Sequence, residues 1–129
     1  MILADTSVWI DYFNGKINTH TDKLDKLLST EQVIMGDIIL AEILQGFRKD
    51  SEYNKAKEAL GYLNCYSISN KIIAIKSAEN FRYLRKKGIT IRKTTDMLIA
   101  TYCIENKVTL LHNDKDFLPF EILGLQVLL

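Results

Sequence analysis

Proline is nearly absent. The single residue, Pro119, falls late in the chain, between the last two apolar runs. With one proline and six glycines, nothing resembles a Pro/Gly/Ser linker, a low-complexity tract or an internal repeat. The 129 residues are therefore assigned to one domain, residues 1–129, large enough for one hydrophobic core. Cysteine is scarce too. Cys65 and Cys103 lie in unrelated apolar surroundings without CxxC spacing, which excludes a disulfide framework. Both are expected to be buried free thiols in a reducing cytoplasm. Two histidines, His20 and His112, are too few and too far apart for a zinc site. The net charge of +1 lacks the basicity of a protein that coats nucleic acid, so any such contact must come from a local patch. No apolar run is long enough to span a bilayer, and no basic segment precedes an apolar one at the amino terminus. Neither a membrane span nor a cleaved leader is expected.

What the chain does have is an ordinary globular balance, 47% apolar and 26% charged, which argues against disorder. Its elements alternate. Ile2–Ala4 reads as a strand, and Val8, Trp9, Tyr12 and Phe13 as a short helix stopped by Asn14-Gly15. Thr19 or Thr21 can cap a second helix carrying Leu24, Leu27 and Leu28. Gln32–Met35 is a second strand, broken by Gly36. Asp37 caps an apolar helix running from Ile38 to about Lys49. Asp50-Ser51 opens a helix through about Leu63, Cys65–Ile68 is a third strand, and Ser69 caps a long helix. In that helix Ile72, Ile73, Ile75, Ala78, Phe81 and Leu84 have core spacing. Thr94 or Thr95 opens the last helix, through Asn106. Val108–Leu111 and Leu125–Leu128 complete five strands. Such alternation predicts an α/β fold: parallel strands, right-handed crossovers, and helices on both faces of the sheet.

Acids stand at the ends of these elements. Asp5 follows the first strand, with Thr6 or Ser7 opening the helix after it. Asp96 lies in the first turn of the last helix, and Asp114 and Asp116 follow the fourth strand. Each has an ordinary structural role open to it: a helix cap for Asp5, the helix dipole for Asp96, a turn for Asp114 and Asp116. Glu42 is different, because it interrupts Ile38, Ile39, Leu40, Ala41, Ile43 and Leu44. A carboxylate buried among them would cost several kcal/mol unless it faces a cleft, meets a cation or binds metal. The set says more than its members. Strand carboxyl ends share one edge, where acids repel one another and resist ionisation. A hard divalent cation with oxygen ligands relieves that conflict and serves phosphoryl chemistry.

Four stretches carry a resemblance: Leu3-Ala4-Asp5-Thr6-Ser7, Ala41-Glu42-Ile43-Leu44-Gln45-Gly46-Phe47, Thr95-Asp96-Met97-Leu98-Ile99-Ala100 and Leu111-His112-Asn113-Asp114-Lys115-Asp116-Phe117. In order and spacing they resemble the motifs of PIN-domain ribonucleases, with wording similar to the VapC toxins of toxin–antitoxin pairs. The resemblance implies a parallel five-stranded sheet in order 3-2-1-4-5 and Mg²⁺ or Mn²⁺ as cofactor. It also implies endonucleolytic cleavage of tRNA or rRNA, a homodimer and a VapB-type antitoxin. The metal-site acids it implies are Asp5, Glu42, Asp96 and Asp114, supported by Thr6 and Asp116; Asn113 lies in the fourth motif without an assigned role.

Cations near these motifs are candidate phosphate contacts. Arg92 and Lys93 adjoin Asp96, and Arg85 stands with Lys86 and Lys87 at a helix end, where cations are favoured in any case. Rival readings remain. A haloacid-dehalogenase-like phosphatase needs a second Asp two residues after its nucleophile, where this chain has Ser7. A receiver domain gives no reason for Glu42. A noncatalytic RNA-binding or interaction module would dispense with metal and with Glu42. The helix after the first strand, together with Leu44–Phe47, could form a groove for an amphipathic partner segment.

Overall fold

The computed structural model describes residues 1–129. Its centre is a parallel sheet of four strands: β1 (Ile2–Ala4), β2 (Val33–Gly36), β3 (Cys65–Tyr66) and β4 (Thr109–Leu111), in spatial order β3-β2-β1-β4. Leu3 of β1 pairs with Ile34 on one side and Leu110 on the other. Every residue of β1 and β2 is buried, so both faces of the sheet are covered. The covering helices are α1 (Thr6–Phe13), α2 (Thr19–Leu28), α3 (Asp37–Gln45), α4 (Asp50–Leu60), α5 (Lys71–Lys86) and α6 (Thr94–Asn106). A 3₁₀ segment, Lys115–Leu123, follows β4. One cluster of 26 buried apolar residues runs through these elements, with Trp9, Phe117 and Phe120 among its largest side chains.

The expected fifth strand is reduced to one bridge, Leu110 to Val127. The cause is the shortness of β4. The Thr109 amide donates to Met1 and the Leu111 carbonyl accepts from Asp5, so both of these residues face β1. Only Leu110 faces outward, where its amide donates to Gln126 and its carbonyl accepts from Leu128. A single outward residue supports a bridge and no ladder. Gly124, in the left-handed region at φ +95°, turns the chain into this position.

Other boundaries shift for local reasons. Asn18, not Thr19 or Thr21, caps α2: its side chain accepts from the Thr21 amide while the Thr21 hydroxyl accepts from the Asn18 amide. Asn70, not Ser69, caps α5 in the same manner through the Ile73 amide. The helices α3 and α4 end early, at Gln45 and Leu60, next to Gly46 and Gly61. β3 is two residues long, and Cys65 is exposed instead of buried. Cys103 is buried, and that burial pushes its thiol up to about 12. On α5 the core side is set by Ile73, Ser77 and Leu84, while Ile72 and Ile75 face solvent.

Gly36 ends β2 and caps α3. A Cβ there would overlap the Cδ1 and Cγ1 atoms of Ile68, which is fully buried and has little room to give. Gly36→Ala is expected to lower the unfolding free energy by about 1–3 kcal/mol in urea denaturation. Adding Ile68→Val, which removes the nearest methyl, should recover part of that loss. Fully additive losses in the double variant would contradict the steric account.

Candidate active site

The strand order reverses between β1 and β4: the chain steps from β1 out to β3, then returns to the other side of β1. In open α/β sheets this reversal opens a crevice beyond the strand carboxyl ends. Asp5 follows β1 directly, and Asp114 stands three residues beyond β4. They are zipped close by the Asp5 amide, which donates to the Leu111 carbonyl at 2.9 Å. The first turn of α6 supplies Asp96 to the same place. Carboxylate oxygens of Asp96, Asp114 and Asp116 all lie within 4.8 Å of one another.

Asp5 does two jobs. It is the N-cap of α1, where its Oδ2 accepts from the Ser7 hydroxyl at 2.8 Å and from the Ser7 amide at 3.3 Å. It is also buried, and burial raises its pKa more than these hydrogen bonds and that of the Thr6 amide lower it. The nearby Asp114 charge adds to the rise. Asp96 is 7% exposed, and its Oδ2 atom is buried with no hydrogen-bond partner. Burial, then the charge of Asp5 and the smaller effects of Asp114 and Asp116, raise its pKa to about 6 against the pull of Lys93. A buried acceptor left unpaired is costly and uncommon. An oxygen-rich, electron-rich set with one orphaned oxygen is what a divalent cation would complete, so the residues fit such an ion.

Asp5 and Glu42 both stand outside the three-acid cluster. The Glu42 Oε1 accepts from the Thr6 hydroxyl at 2.8 Å, so Thr6 links the second motif to the first. The sequence leaves Glu42 to face a cleft, meet a cation or bind metal, and the helix flank that carries it is partly open. α3 buries Ile39 and Ile43, whereas Ala41 and Gln45 are exposed and Glu42 is half-buried. Asp37, another acid beside a strand end, is already occupied: its Oδ1 accepts from the amides of Ile38 and Ile68.

Asp116 is held from outside. Arg92 Nη2 lies 2.9 Å from its Oδ2, although the Arg92 side chain is 75% exposed. That contact keeps the guanidinium firmly charged at the rim of the acids. Lys93 is exposed at the N-cap of α6. Arg85 makes no ion pair with the acids; its guanidinium stands 5.5 Å from the Phe81 ring centre. Asn113 is exposed beside Asp114.

Ser7, expected to open the helix after Asp5, and His112, to which the sequence assigns no role, both shape the site. Ser7 fixes Asp5, as described. His112 is buried against Phe117, and its Nδ1 accepts from the Asp114 amide at 3.2 Å. Burial lowers the His112 pKa, which favours the neutral ring required of an acceptor Nδ1. The Asp114 carboxylate in turn accepts from the Asp116 amide at 2.9 Å, which sets the turn that carries both acids. For Ser7 the available signal was a hydroxyl two residues after a strand-ending acid; for His112, a lone histidine had none.

Away from the acids, a groove of about 880 Å³ runs between α1, α3 and α4. Ile10, Phe13, Ile43, Phe47 and Ala59 give it an apolar floor, and three cations, Arg48, Lys49 and Lys55, border it with one acid, Glu52. Phe13 and Phe47 meet edge to face at 5.6 Å. The helix α1 and part of the Leu44–Phe47 stretch do line a groove, as expected, with Ile43 in place of Leu44.

A parallel α/β sheet with acids converging at its switch point defines a class, and comparison places the chain in it. Residues 2–121 match the PIN domain family. Ribonuclease VapC11 of Mycobacterium tuberculosis is 31% identical over 119 residues, covering 91% of this chain and 89% of the relative. The chain therefore belongs to the PIN-domain family, among the VapC ribonucleases. Among solved structures, it is similar to a chain of VapBC-1 from nontypeable Haemophilus influenzae, with TM-score 0.75 and 25% identity over 99% of this chain and 97% of the other. A chain of VapBC2 from Rickettsia felis, bound to a DNA fragment from their promoter, shares the fold with TM-score 0.78 and 24% identity, over 99% and 98% of the two chains.

The raised pKa of Asp96 has a sign that can be tested. Its folded value of about 6 lies above the ordinary 3.8, so the metal-free fold binds more protons than the unfolded chain between those values. Stability from this group is fully present below pH 3.8 and is lost as pH rises through about 6. Asp96→Asn should raise the Tm of the metal-free protein at neutral pH by roughly 2–6 °C and shrink the pH-dependent loss across that window. Differential scanning fluorimetry from acid to neutral pH checks this; a lower Tm for Asp96→Asn at neutral pH would count against the assignment.

Proposed function

We propose that this protein is a metal-dependent endoribonuclease toxin that hydrolyses phosphodiester bonds in cellular RNA, a tRNA or an rRNA loop, and is silenced by a VapB-type antitoxin. The observation that carries the reading is the buried, orphaned Oδ2 of Asp96 within an acid cluster at the switch point of a VapC-family chain. Asp5, Asp96 and Asp114 would hold Mg²⁺ or Mn²⁺, with Glu42 directly or through water and Asp116 in support. Bound there, a divalent ion polarises a phosphoryl oxygen and lowers the pKa of water at neutral pH. The protein's share is preorganisation. Ser7 holds Asp5, Thr6 holds Glu42, and the His112 ring holds the amide of Asp114. These contacts keep the acids in place before substrate arrives, which limits reorganisation during reaction. Arg92 and Lys93 would position phosphates without reading sequence.

The partner reading rests on the groove between α1, α3 and α4. Its apolar floor and basic border fit an amphipathic segment carrying acids. The relatives of known structure named above are described as VapBC complexes, which supports an antitoxin as the occupant. The same family likeness supports a homodimer, and Ile72 and Ile75 on α5 are apolar side chains left uncovered by the fold. No helix is long and apolar enough to cross a membrane. A cytoplasmic site of action is part of the proposal, because the RNA substrates are there.

One expression experiment tests activity and partner together. Induced alone in bacteria, the wild-type chain should arrest growth and generate new RNA ends. Asp96→Asn and Asp5→Asn should lower cleavage by at least about 100-fold while remaining folded. Co-expression with the neighbouring antitoxin gene should restore growth and yield a complex that Phe47→Glu weakens. Undiminished cleavage by folded Asp96→Asn would refute the catalytic assignment, and an unaffected Phe47→Glu complex would refute the groove.

A further inference from the structure

A second cleft, of about 520 Å³, opens directly beside the acids. Thr90 and Arg92, from the link before α6, form one side. Lys115, Asp116, Leu118 and Pro119, from the 3₁₀ segment, form the other. Asp116 belongs to this cleft and to the three-acid cluster alike, so it joins the cleft wall to the acids.

The chemistry of its walls is specific. Arg92 is mostly solvent-exposed yet anchored, since Asp116 accepts one of its hydrogen bonds at 2.9 Å. A guanidinium has five N–H donors, so most remain free to face a ligand. Lys115 is exposed and has no acidic partner within ion-pair distance. Leu118 is 54% exposed, an apolar side chain beside the Pro119 ring in the same wall. Two cations, a hydroxyl and a small apolar wall match the parts of a nucleotide: phosphate, sugar and base. The arrangement also answers an electrostatic difficulty. A cluster of acids repels a polyanion, and an arginine locked to the outermost acid reduces that repulsion on the approach side.

We propose that this cleft is the subsite for a nucleotide adjoining the scissile bond of a single-stranded RNA segment. Arg92 and Lys115 bind its phosphates, Leu118 and Pro119 pack against its base, and Asp116 is the positioning residue that anchors Arg92. The inference rests on the ribonuclease reading and adds to it where the strand lies and which side chains grip it. Such a grip tolerates any base, because it uses phosphate charge and apolar contact instead of base-edge hydrogen bonds.

The test is binding of a short fluorescein-labelled single-stranded RNA to the full chain in an Asp96→Asn background, followed by anisotropy from about 50 to 200 mM salt. Arg92→Ala and Lys115→Ala should each weaken binding by about 3–10-fold and each lower the slope of log K against log salt by about 0.7. Leu118→Ala should weaken binding by about threefold and leave the slope unchanged, as expected for an apolar contact. Lys26→Ala provides the control; it lies in the last turn of α2, which leads to the amino end of β2, at the opposite edge of the sheet. Arg92, Lys115, Leu118 and Lys26 are all exposed, so their loss leaves the core intact. Parental affinity and slope in Arg92→Ala and Lys115→Ala would overturn the subsite. RNA cleavage by the Asp96 parent is measured alongside. No cleavage together with the expected slopes would strike the ribonuclease reading and leave the cleft as an RNA-binding groove without a scissile bond beside it; normal cleavage with unchanged slopes would strike the subsite and leave the ribonuclease reading standing.

Discussion

Burial of Asp5 and Asp96 at a sheet edge shared with other acids governs this molecule. Folding brings Asp5, Asp96, Asp114 and Asp116 to the carboxyl edge of one sheet, and there burial, joined by neighbouring charge, disfavours the ionised forms of Asp5 and Asp96. Burial and neighbouring charge together hold Asp96 near a pKa of 6. What forces the acids together is apolar. β1, β2 and β4 are buried within a continuous core, and their order puts the ends of β1 and β4 side by side. The core's stability is the source of the electrostatic tension at its edge, a common arrangement where a site must act on charge.

The neighbouring structure confines that tension. Ser7 and the start of α1 supply donors to Asp5. Thr6 occupies one oxygen of Glu42, and Arg92 neutralises Asp116 from the solvent side. Among these acids only Asp96 has a fully buried oxygen without a donor. The site is thus satisfied around its rim and unsatisfied at its centre, which is the pattern expected where a cation completes the structure. His112 contributes by geometry: a neutral ring accepting from the Asp114 amide sets the turn that presents Asp114 and Asp116 on the same side.

Much of this was legible in the residues. An apolar triplet ending in Asp5, and another ending shortly before Asp114, mark strand ends whatever surrounds them, and alternating elements imply that those ends share an edge. The environment of Glu42 was harder to read. Its apolar neighbours called for a cleft, a cation or a metal beside it, but spacing cannot tell which flank of a largely apolar helix meets the core; α3 turns Ile39 and Ile43 inward and leaves Glu42 half-buried. Ile72 and Ile75 misled for the same reason, because the core side of α5 includes a serine, Ser77. The fifth strand failed through a neighbour's length: nothing in Leu125–Leu128 reveals that β4 offers only Leu110 for pairing. The Arg92–Asp116 pair spans 24 positions, beyond the reach of any local pattern.

The central claim, that these acids are held together for a divalent cation, is tested most directly by the protons such an ion displaces. Calorimetric titration of the folded, metal-free protein with Mg²⁺, in buffers of different ionisation enthalpy, counts them. With Asp96 near a pKa of 6, saturable binding should release about half a proton per ion at pH 6 and almost none at pH 8, with the release lost in Asp96→Asn. No saturable binding at either pH, or a proton release that Asp96→Asn leaves unchanged, would contradict the account.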